Sequence, residues 1–203
     1  MERITLPYRL ILGSGSPRRK QLLEGLDIPF TVSPIPDLDE HQYPADTPPD
    51  QIPSFLAQAK SLAYPYPLEE DQLLITADTL VFIDDNSGPA EILGKPQDRD
   101  AACLMLEHLS GKEHHVVTGV HLRSGNGIRL TFSDVTKVIF ATLSSEEITY
   151  YVDKYRPYDK AGAYGVQEWI GYAGIERIEG SFYTVMGLPV HLLWKHIFTI
   201  FAR

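Results

Sequence analysis

The chain has 203 residues, of which 43% are hydrophobic and 22% are charged, and its formal net charge at pH 7 is -9. This length and composition predict a single globular domain, residues 1–203, and exclude disordered and fibrous proteins. The acidic balance and the lack of interleaved aromatic and basic residues disfavour a nucleic-acid-binding domain. The chain has no run of roughly 20 apolar residues that would span a bilayer and no signal-peptide core. We therefore expect a cytoplasmic protein without nucleic-acid or membrane partners.

Strand-like and helix-like patterns alternate along the chain, which is typical of an α/β fold. The longest apolar run, 73–83, predicts a buried strand. Ser144 and the glutamates after it predict a capped helix start. In chain order the patterns predict strand 9–12, helix 17–26, strand 30–33, helix 54–63, strand 73–83, helix 98–109, strands 116–122 and 128–139, helix 144–154, a Gly- and Tyr-rich loop 155–172, strand 175–178 and a helix after Pro189.

Cysteine and histidine give no sign of a functional site. Cys103 is the only cysteine, which excludes an intrachain disulfide and a cysteine-rich zinc site. Its apolar, helical setting predicts a buried, inert thiol. His114 and His115 are adjacent in a predicted strand and therefore point to opposite faces, so they are not expected to share a metal. We predict no catalytic role for the seven histidines.

The segment 13–19, Gly-Ser-Gly-Ser-Pro-Arg-Arg, lies between a predicted strand and a predicted helix. Ser16 is a natural N-cap, and Pro17 suits the first helical position. The N–H groups at a helix start favour an anion, and Arg18 and Arg19 add positive charge beside them. Taken alone, the segment fits a capped surface helix with solvated arginines equally well.

Two segments carry carboxylates that suit a metal ion. Asp78 lies within the apolar run 73–83, where a buried charge is costly unless a partner or a metal compensates for it. The alternative, an aspartate that caps a strand end, is disfavoured by the apolar residues that follow. The second segment, 37–40 (Asp-Leu-Asp-Glu), offers oxygen ligands that suit Mg²⁺ or Mn²⁺, although acidic loops are usually only solvated.

Two lysines lie in segments whose backbone is fixed by glycine and proline. Lys95 occurs in Leu-Gly-Lys-Pro, 93–96, and Lys160 occurs in Tyr-Asp-Lys-Ala-Gly-Ala-Tyr-Gly-Val-Gln, 158–167. The small residues of the second segment permit tight turns and close approach of a ligand. Because a lone lysine is usually solvated, these segments gain meaning only in combination with the others.

The combination of these motifs resembles the Maf family of nucleotide pyrophosphatases over nearly the whole chain, from Ser14 to Pro189. The matching motifs are Ser-x-Ser-Pro-Arg-Arg, Asp-x-Asp-Glu, Ala-Asp-Thr, Leu-Gly-Lys-Pro, Tyr-Asp-Lys-Ala-Gly-Ala-Tyr-Gly-x-Gln, and Glu-Gly-Ser through Gly-Leu-Pro. The resemblance implies a Maf/ITPase-like α/β fold, with an elongated mixed sheet flanked by helices and two lobes around a central cleft. It also implies hydrolysis of a nucleoside triphosphate to the monophosphate and pyrophosphate.

The resemblance assigns roles to several side chains. Asp78 is implied to be the catalytic general base, and Glu40 and Asp78 to hold a divalent cation cofactor, Mg²⁺ or Mn²⁺. Lys95 is grouped with Asp78 and Glu40 as a catalytic residue. The positions that match the family's phosphate contacts are Ser14, Arg19, Lys60, Lys95 and Lys160. For Lys60, on the second predicted helix, an exposed helix lysine is the alternative.

The resemblance also points to a substrate. Arg18, Thr79 and Gln167 match the branch of the family that hydrolyses dTTP and UTP, rather than a branch that acts on 7-methyl-GTP. The amide of Gln167 offers a donor and an acceptor, which match the O4 and N3–H edge shared by uracil and thymine. The implied substrates are therefore dTTP, UTP and modified pyrimidine nucleotides.

The chain departs from the family's pattern at three positions. Gly13 and Gly15 stand where alanine is usual, which should loosen the loop slightly. Thr184 stands where asparagine is usual, so a contact made by that asparagine is not expected here.

Two further expectations concern partners. Relatives often form dimers, so a homodimer is expected. The alternative to an enzyme is a nucleotide-binding regulator of septum formation or cell division without significant turnover. Retention of Asp78 and Glu40 favours catalysis, because a pure binding protein would need no base.

Overall fold

The computed structural model describes residues 6–36, 38, 43–83 and 90–201, with backbone only for 200 and 201. Its strands are β1 (Arg9–Leu12), β2 (Phe30–Val32), β3 (Gln72–Ile83), β4 (Glu91–Leu93), β5 (Glu113–Ser124), β6 (Arg129–Phe140) and β7 (Ile175–Glu179). Its helices are α1 (Pro17–Glu24), α2 (Ile52–Leu62), α3 (Arg99–Leu109), α4 (Ser145–Tyr155), α5 (Trp169–Ala173), α6 (Phe182–Met186) and α7 (Val190–Phe201). Short 3-10 turns occur at Pro49–Gln51 and Ala161–Ala163.

The strands form a seven-stranded mixed sheet in the order β2-β1-β3-β5-β6-β7, with β4 added alongside β3. β1 runs parallel to β2 and β3, with Leu12 opposite both Val32 and Ile75. β4 pairs antiparallel with β3, and β7 pairs antiparallel with β6. The predicted α/β class, a mixed sheet flanked by helices, is confirmed. None of the helices in the described part of the chain is long and apolar enough to cross a membrane.

Most predicted elements are present. The strand predicted at 73–83 is β3, and Ser144 forms the predicted capping box with Glu147 at the start of α4. The sequence did not predict β4, α5 or α6, each of which has only three to five residues. The segment 155–172 is therefore not wholly a loop.

The chain divides into two compact units. The first contains Met1–Asp78, Thr118–Asp134 and Gly187–Arg203, and the second contains Thr79–Val117 and Val135–Met186. In the first unit the core includes Leu12 and Leu23, which are fully buried. Burial of such side chains stabilises the unit by roughly 1.5–3 kcal/mol each.

Within the first unit, the start of α2 packs directly against a glycine of β5. A Cβ atom built on Gly119 would lie 2.3 Å from the backbone nitrogen of Ser54 and 2.4 Å from the carbonyl carbon of Pro53. The hydroxyl of Thr76 on β3 donates to the carbonyl oxygen of Ala57, 2.7 Å away, inside α2. These contacts fix α2 against β3 and β5.

The second unit has a buried aromatic cluster. His114 contacts Phe140 and Tyr164 edge to face, and its Nε2 lies 2.8 Å from the hydroxyl oxygen of Tyr164. Burial lowers the pKa of His114 to about 3 and raises the pKa of Tyr164. His114 is therefore a neutral core residue, while its neighbour His115 is only partly buried.

Cys103, on α3 in the same unit, is only half-buried, so the prediction of a buried thiol is wrong in its extent. The partial burial raises the pKa of the Cys103 thiol, which keeps it protonated and unreactive.

Candidate active site

The loop after β1 lies beside the middle of β3. β1 ends at Leu12 while β3 continues beyond Ile75, and the N–H of Gly13 donates to the carbonyl oxygen of Ile75 at 2.8 Å. A Cβ atom on Gly13 would lie 2.9 Å from Thr76 and 2.8 Å from Ile35. Glycine thus lets the loop approach β3 closely, which is the steric reason for this departure from the family's usual alanine. The parallel register places the loop next to the segment that carries Asp78.

Within this loop, Ser14 organises the start of α1. Its Oγ accepts hydrogen bonds from the N–H of Ser16 at 3.2 Å and from the Arg19 guanidinium at 3.5 Å. The Nε of Arg19 also donates to the carbonyl oxygen of Gly187 at 2.9 Å. Arg19 is therefore held in place, which does not fit a freely solvated arginine, and Arg18 is likewise partly buried.

Ser16 occupies the N-cap position of α1, but its side chain makes no capping hydrogen bond. The predicted N-cap position and the proline that follows it are confirmed, but the capping hydrogen bond is absent. The N–H of Ser16 instead donates to the Oγ of Ser14. This hydrogen bond depends on the conformation of the loop and not on the residue type at position 16.

Asp78 lies on β3 with 4% of its surface exposed, and its Oδ1 accepts a hydrogen bond from the Nζ of Lys60. Lys60 lies in the last turn of α2, and its side chain is 17% exposed. The alternative of an exposed helix lysine is therefore wrong. The ammonium stabilises the negative charge of Asp78 at a position where an unpaired carboxylate would be strongly destabilising.

Sequence reasoning missed the residues that hold the end of α2. The Nε of Arg123 on β5 donates to the hydroxyl of Ser61 at 3.1 Å, and its terminal nitrogen donates to the carbonyl oxygen of Ser61 at 2.6 Å. Ser61 directly follows Lys60 in the sequence and is fully buried. No local pattern could have linked two residues that lie 62 positions apart.

The second unit brings together the two lysine segments. The N–H of Gly162 donates to the carbonyl oxygen of Gly94 at 3.1 Å, so the backbones on either side of Lys95 and Lys160 are hydrogen-bonded neighbours. Lys95 itself is exposed, and Thr79, also in this unit, is partly buried. The hydrogen bond confirms that these two motifs, distant in sequence, are close in space.

Lys160 is buried, with 7% of its surface exposed, and does not fit a solvated lysine. Its Nζ lies 2.9 Å from an oxygen of Asp159 and 3.2 Å from an oxygen of Glu168. Gln167 is partly buried, and its Oε1 is a buried atom with no hydrogen-bond partner among the described residues. An amide oxygen in this state is suited to accept a hydrogen bond from a ligand.

The described part of the chain contains no cluster of three or more His, Cys, Asp or Glu residues that could form a metal cage. Glu40, the other predicted metal ligand, lies outside the described residues, as do Asp37 and Asp39. Mg²⁺ is commonly held by one or two carboxylates together with substrate phosphates. Asp78 is a buried carboxylate, and its oxygens are ligands of the kind that such an ion prefers.

The chain is similar to known proteins over most of its length. Residues 9–200 match the family model described as Maf-like protein. A dTTP/UTP pyrophosphatase of Porphyromonas gingivalis is 54% identical over 94% of this chain and 93% of its own length. A dTTP/UTP pyrophosphatase of Bacteroides thetaiotaomicron is 50% identical over 94% of this chain and 95% of its own length. The crystal structure of a nucleoside-triphosphatase (dITP/XTP pyrophosphatase) from Mycobacterium abscessus aligns with a TM-score of 0.41 at 14% identity, over 66% of this chain and 75% of that chain. On the family match and these identities, the chain belongs to the Maf family.

Proposed function

We propose that the protein is a metal-dependent pyrophosphatase that hydrolyses dTTP and UTP, and modified pyrimidine nucleotides, to the nucleoside monophosphate and pyrophosphate. Membership of the Maf family and relatives named dTTP/UTP pyrophosphatases at 50–54% identity support this function. The structural observation that carries it is the buried pair of Asp78 and Lys60 beside the loop after β1.

The positive groups of the site bind the triphosphate. Hydrolysis of a phosphoanhydride depends mostly on positioning and on neutralising the charge of the phosphate oxygens. In the first unit, Ser14, Arg19 and Lys60 supply a hydroxyl and two cations, and Arg19 is already oriented by Ser14 and Gly187. In the second unit, Lys95 and Lys160 are the proposed further contacts to phosphate.

Asp78 acts as the general base in this proposal. Its carboxylate accepts a proton from the attacking water, and pyrophosphate leaves as the bond between the α- and β-phosphates breaks. The ammonium of Lys60 supports the role because it stabilises the ionised carboxylate before the proton arrives.

The proposed cofactor is Mg²⁺ or Mn²⁺, held by Asp78 and Glu40. When bound, such an ion neutralises charge on the phosphate oxygens and orients them. Asp78 provides one hard oxygen ligand of the kind that these ions prefer.

Selectivity for uracil and thymine is assigned to Gln167, with Arg18 and Thr79. The buried Oε1 of Gln167 would accept a hydrogen bond from N3–H of the base, and its amide nitrogen would donate to O4. Cytosine presents the opposite arrangement at this edge, so it would leave both groups of the amide unsatisfied.

We propose that the protein acts in the cytoplasm. We also propose that it forms a homodimer, which sedimentation analysis would test. The alternative function, a regulator of septum formation without significant turnover, gains no support from the relatives, which are named for an enzymatic activity.

The proposed function is tested with a panel of nucleoside triphosphates in the presence of Mg²⁺, with the products identified by chromatography. We expect dTTP and UTP to give the monophosphate and pyrophosphate. Asp78→Asn should lose this activity while keeping its circular dichroism spectrum. Asp46→Asn, which changes an exposed carboxylate in the same way, is the matched control and should retain full activity. Orthophosphate as the primary product, or undiminished turnover in Asp78→Asn, would contradict the proposal.

A further inference from the structure

The buried ammonium of Lys160 forms an ion pair with Glu168, which is itself hydrogen-bonded to Tyr151, and the phosphate-binding role does not by itself explain this arrangement. The side chain of Glu168 is 19% exposed, and its Oε1 lies 3.2 Å from the Nζ of Lys160. The other oxygen of Glu168 accepts a hydrogen bond from the hydroxyl of Tyr151. That hydroxyl in turn accepts the N–H of Gly165, 2.9 Å away. One tyrosine thus bonds both to Gly165, inside the segment from Lys160 to Glu168, and to Glu168 at its end.

Tyr151 is a fixed support for this chain. It lies on α4, is fully buried, and stacks on Tyr155 one turn later. Burial and the hydrogen bond to Glu168 both raise the pKa of Tyr151. Its hydroxyl therefore stays protonated and acts as a permanent donor to the carboxylate of Glu168.

The side chains of the two charged residues pack closely against the backbone between them. A Cβ atom on Gly165 would lie 2.8 Å from the carboxyl carbon of Glu168 and 3.1 Å from Cε of Lys160. Gly162, in the same segment, has a φ of 70°, a conformation that favours glycine. The side chains of Glu168 and Lys160 therefore pack directly against the backbone of Gly165.

Stability alone does not account for such a network. A buried ion pair is often no more stabilising than apolar residues of the same size, because both charges lose their hydration. The ammonium of Lys160 donates a hydrogen bond to Asp159 and forms an ion pair with Glu168. The side chain of Asp159 is 60% exposed, so water screens its charge, whereas the carboxylate of Glu168 is held in place.

We propose that Glu168 and Tyr151 are positioning residues, which hold the ammonium of Lys160 in place to contact a substrate phosphate. Glu168 fixes the ammonium by charge, and Tyr151 fixes Glu168 and the N–H of Gly165 together. The inference rests on the proposed function, because a phosphate is the ligand assigned to Lys160 there.

The test is a double-mutant cycle between Glu168→Gln and Lys160→Met, measured by steady-state kinetics with dTTP. Glu168→Gln keeps the shape of the side chain and removes its charge. We expect it to lower kcat/KM about tenfold in the parent and to have little further effect when Lys160 is already methionine. Tyr151→Phe, which removes only the hydroxyl, should reproduce part of this loss. Glu176→Gln, on the exposed face of β7, is the matched control and should leave kcat and KM unchanged.

A purely structural role for Glu168 would give a different result, because its loss would then lower activity equally with and without Lys160. Equal losses in the two backgrounds, or unchanged kinetics in both Glu168→Gln and Tyr151→Phe, overturn the inference. Should Glu168→Gln fail to fold by circular dichroism, Tyr151→Phe in the two backgrounds carries the cycle.

Binding of inorganic tripolyphosphate, measured by calorimetry, separates this inference from the proposed function. If the parent hydrolyses no nucleotide but binds tripolyphosphate, and if Lys160→Met and Glu168→Gln each weaken that binding, the proposed function fails and the positioning role stands. If the parent hydrolyses dTTP while Glu168 has no effect on either readout, only the positioning role fails. Absence of both hydrolysis and tripolyphosphate binding rejects both.

Discussion

Replacing Lys60 with methionine removes the positive charge beside Asp78 while keeping a side chain of similar length. The side chain of Asp78 is only 5% exposed, so its carboxylate cannot recover full hydration when the ammonium is lost. Breaking a buried ion pair from one side typically costs about 3–5 kcal/mol. Lys60 is 17% exposed, so some water reaches the pair, and we expect a loss near the lower end, about 3 kcal/mol. For a chain of this size, that corresponds to a decrease in Tm of roughly 6–12 °C.

The assay is urea unfolding followed by circular dichroism, with a chelator present so that no divalent cation neutralises Asp78. The double variant Lys60→Met and Asp78→Asn removes both charges, and should be more stable than Lys60→Met alone by about 1–3 kcal/mol. Lys20→Met is the matched control. Lys20 pairs with Glu24 at 3.6 Å on the exposed surface of α1, so its loss should change the free energy of unfolding by less than about 1 kcal/mol.

If Lys60→Met were as stable as Lys20→Met, Asp78 would not depend on the ammonium of Lys60. The same would follow if the changes in the free energy of unfolding caused by Lys60→Met and Asp78→Asn were additive. Either result would mean that Asp78 does not depend on the ammonium of Lys60 for its stability in the folded protein.

Two other changes test the packing of each unit. Gly119→Ala should lower the Tm by several degrees because its Cβ would meet the backbone of Pro53 and Ser54 at 2.3–2.5 Å, whereas Gly15→Ala, whose nearest neighbour lies 4.0 Å away, should change it little. The pKa of His114 is about 3 in the folded protein and about 6.5 for an unperturbed histidine, so the unfolded chain takes up a proton first as the pH falls. The free energy of unfolding should therefore decrease below about pH 6.5 and continue to fall toward pH 3. In urea unfolding at about pH 4.5, His114→Gln should reduce this loss by up to about 2 kcal/mol. A variant with the same pH dependence as the parent would contradict the assignment of His114.

The α/β class, most of the longer helices and strands, and the membership of the Maf family could be predicted from the sequence alone. These features depend on local information: the apolar run of β3, the capping box before α4, and motifs of a few adjacent residues. A strand of 12 residues buries enough apolar surface to show in its composition, whereas the five-residue helix α5 does not. The sequence also identified Asp78 as a carboxylate that needs a partner, because a charge inside an apolar run is costly wherever the strand lies.

The partner of Asp78 could be identified only from the tertiary structure. The pair of Lys60 and Asp78 depends on how α2 packs on β3, and the contact of Glu168 with Lys160 depends on the positive φ of Gly162 and the buried hydroxyl of Tyr151. Such contacts are set by strand register and by steric fit between distant segments, for which adjacent residues carry no signal. Residue types thus determine which chemistry is available, while packing determines which of the charged groups meet.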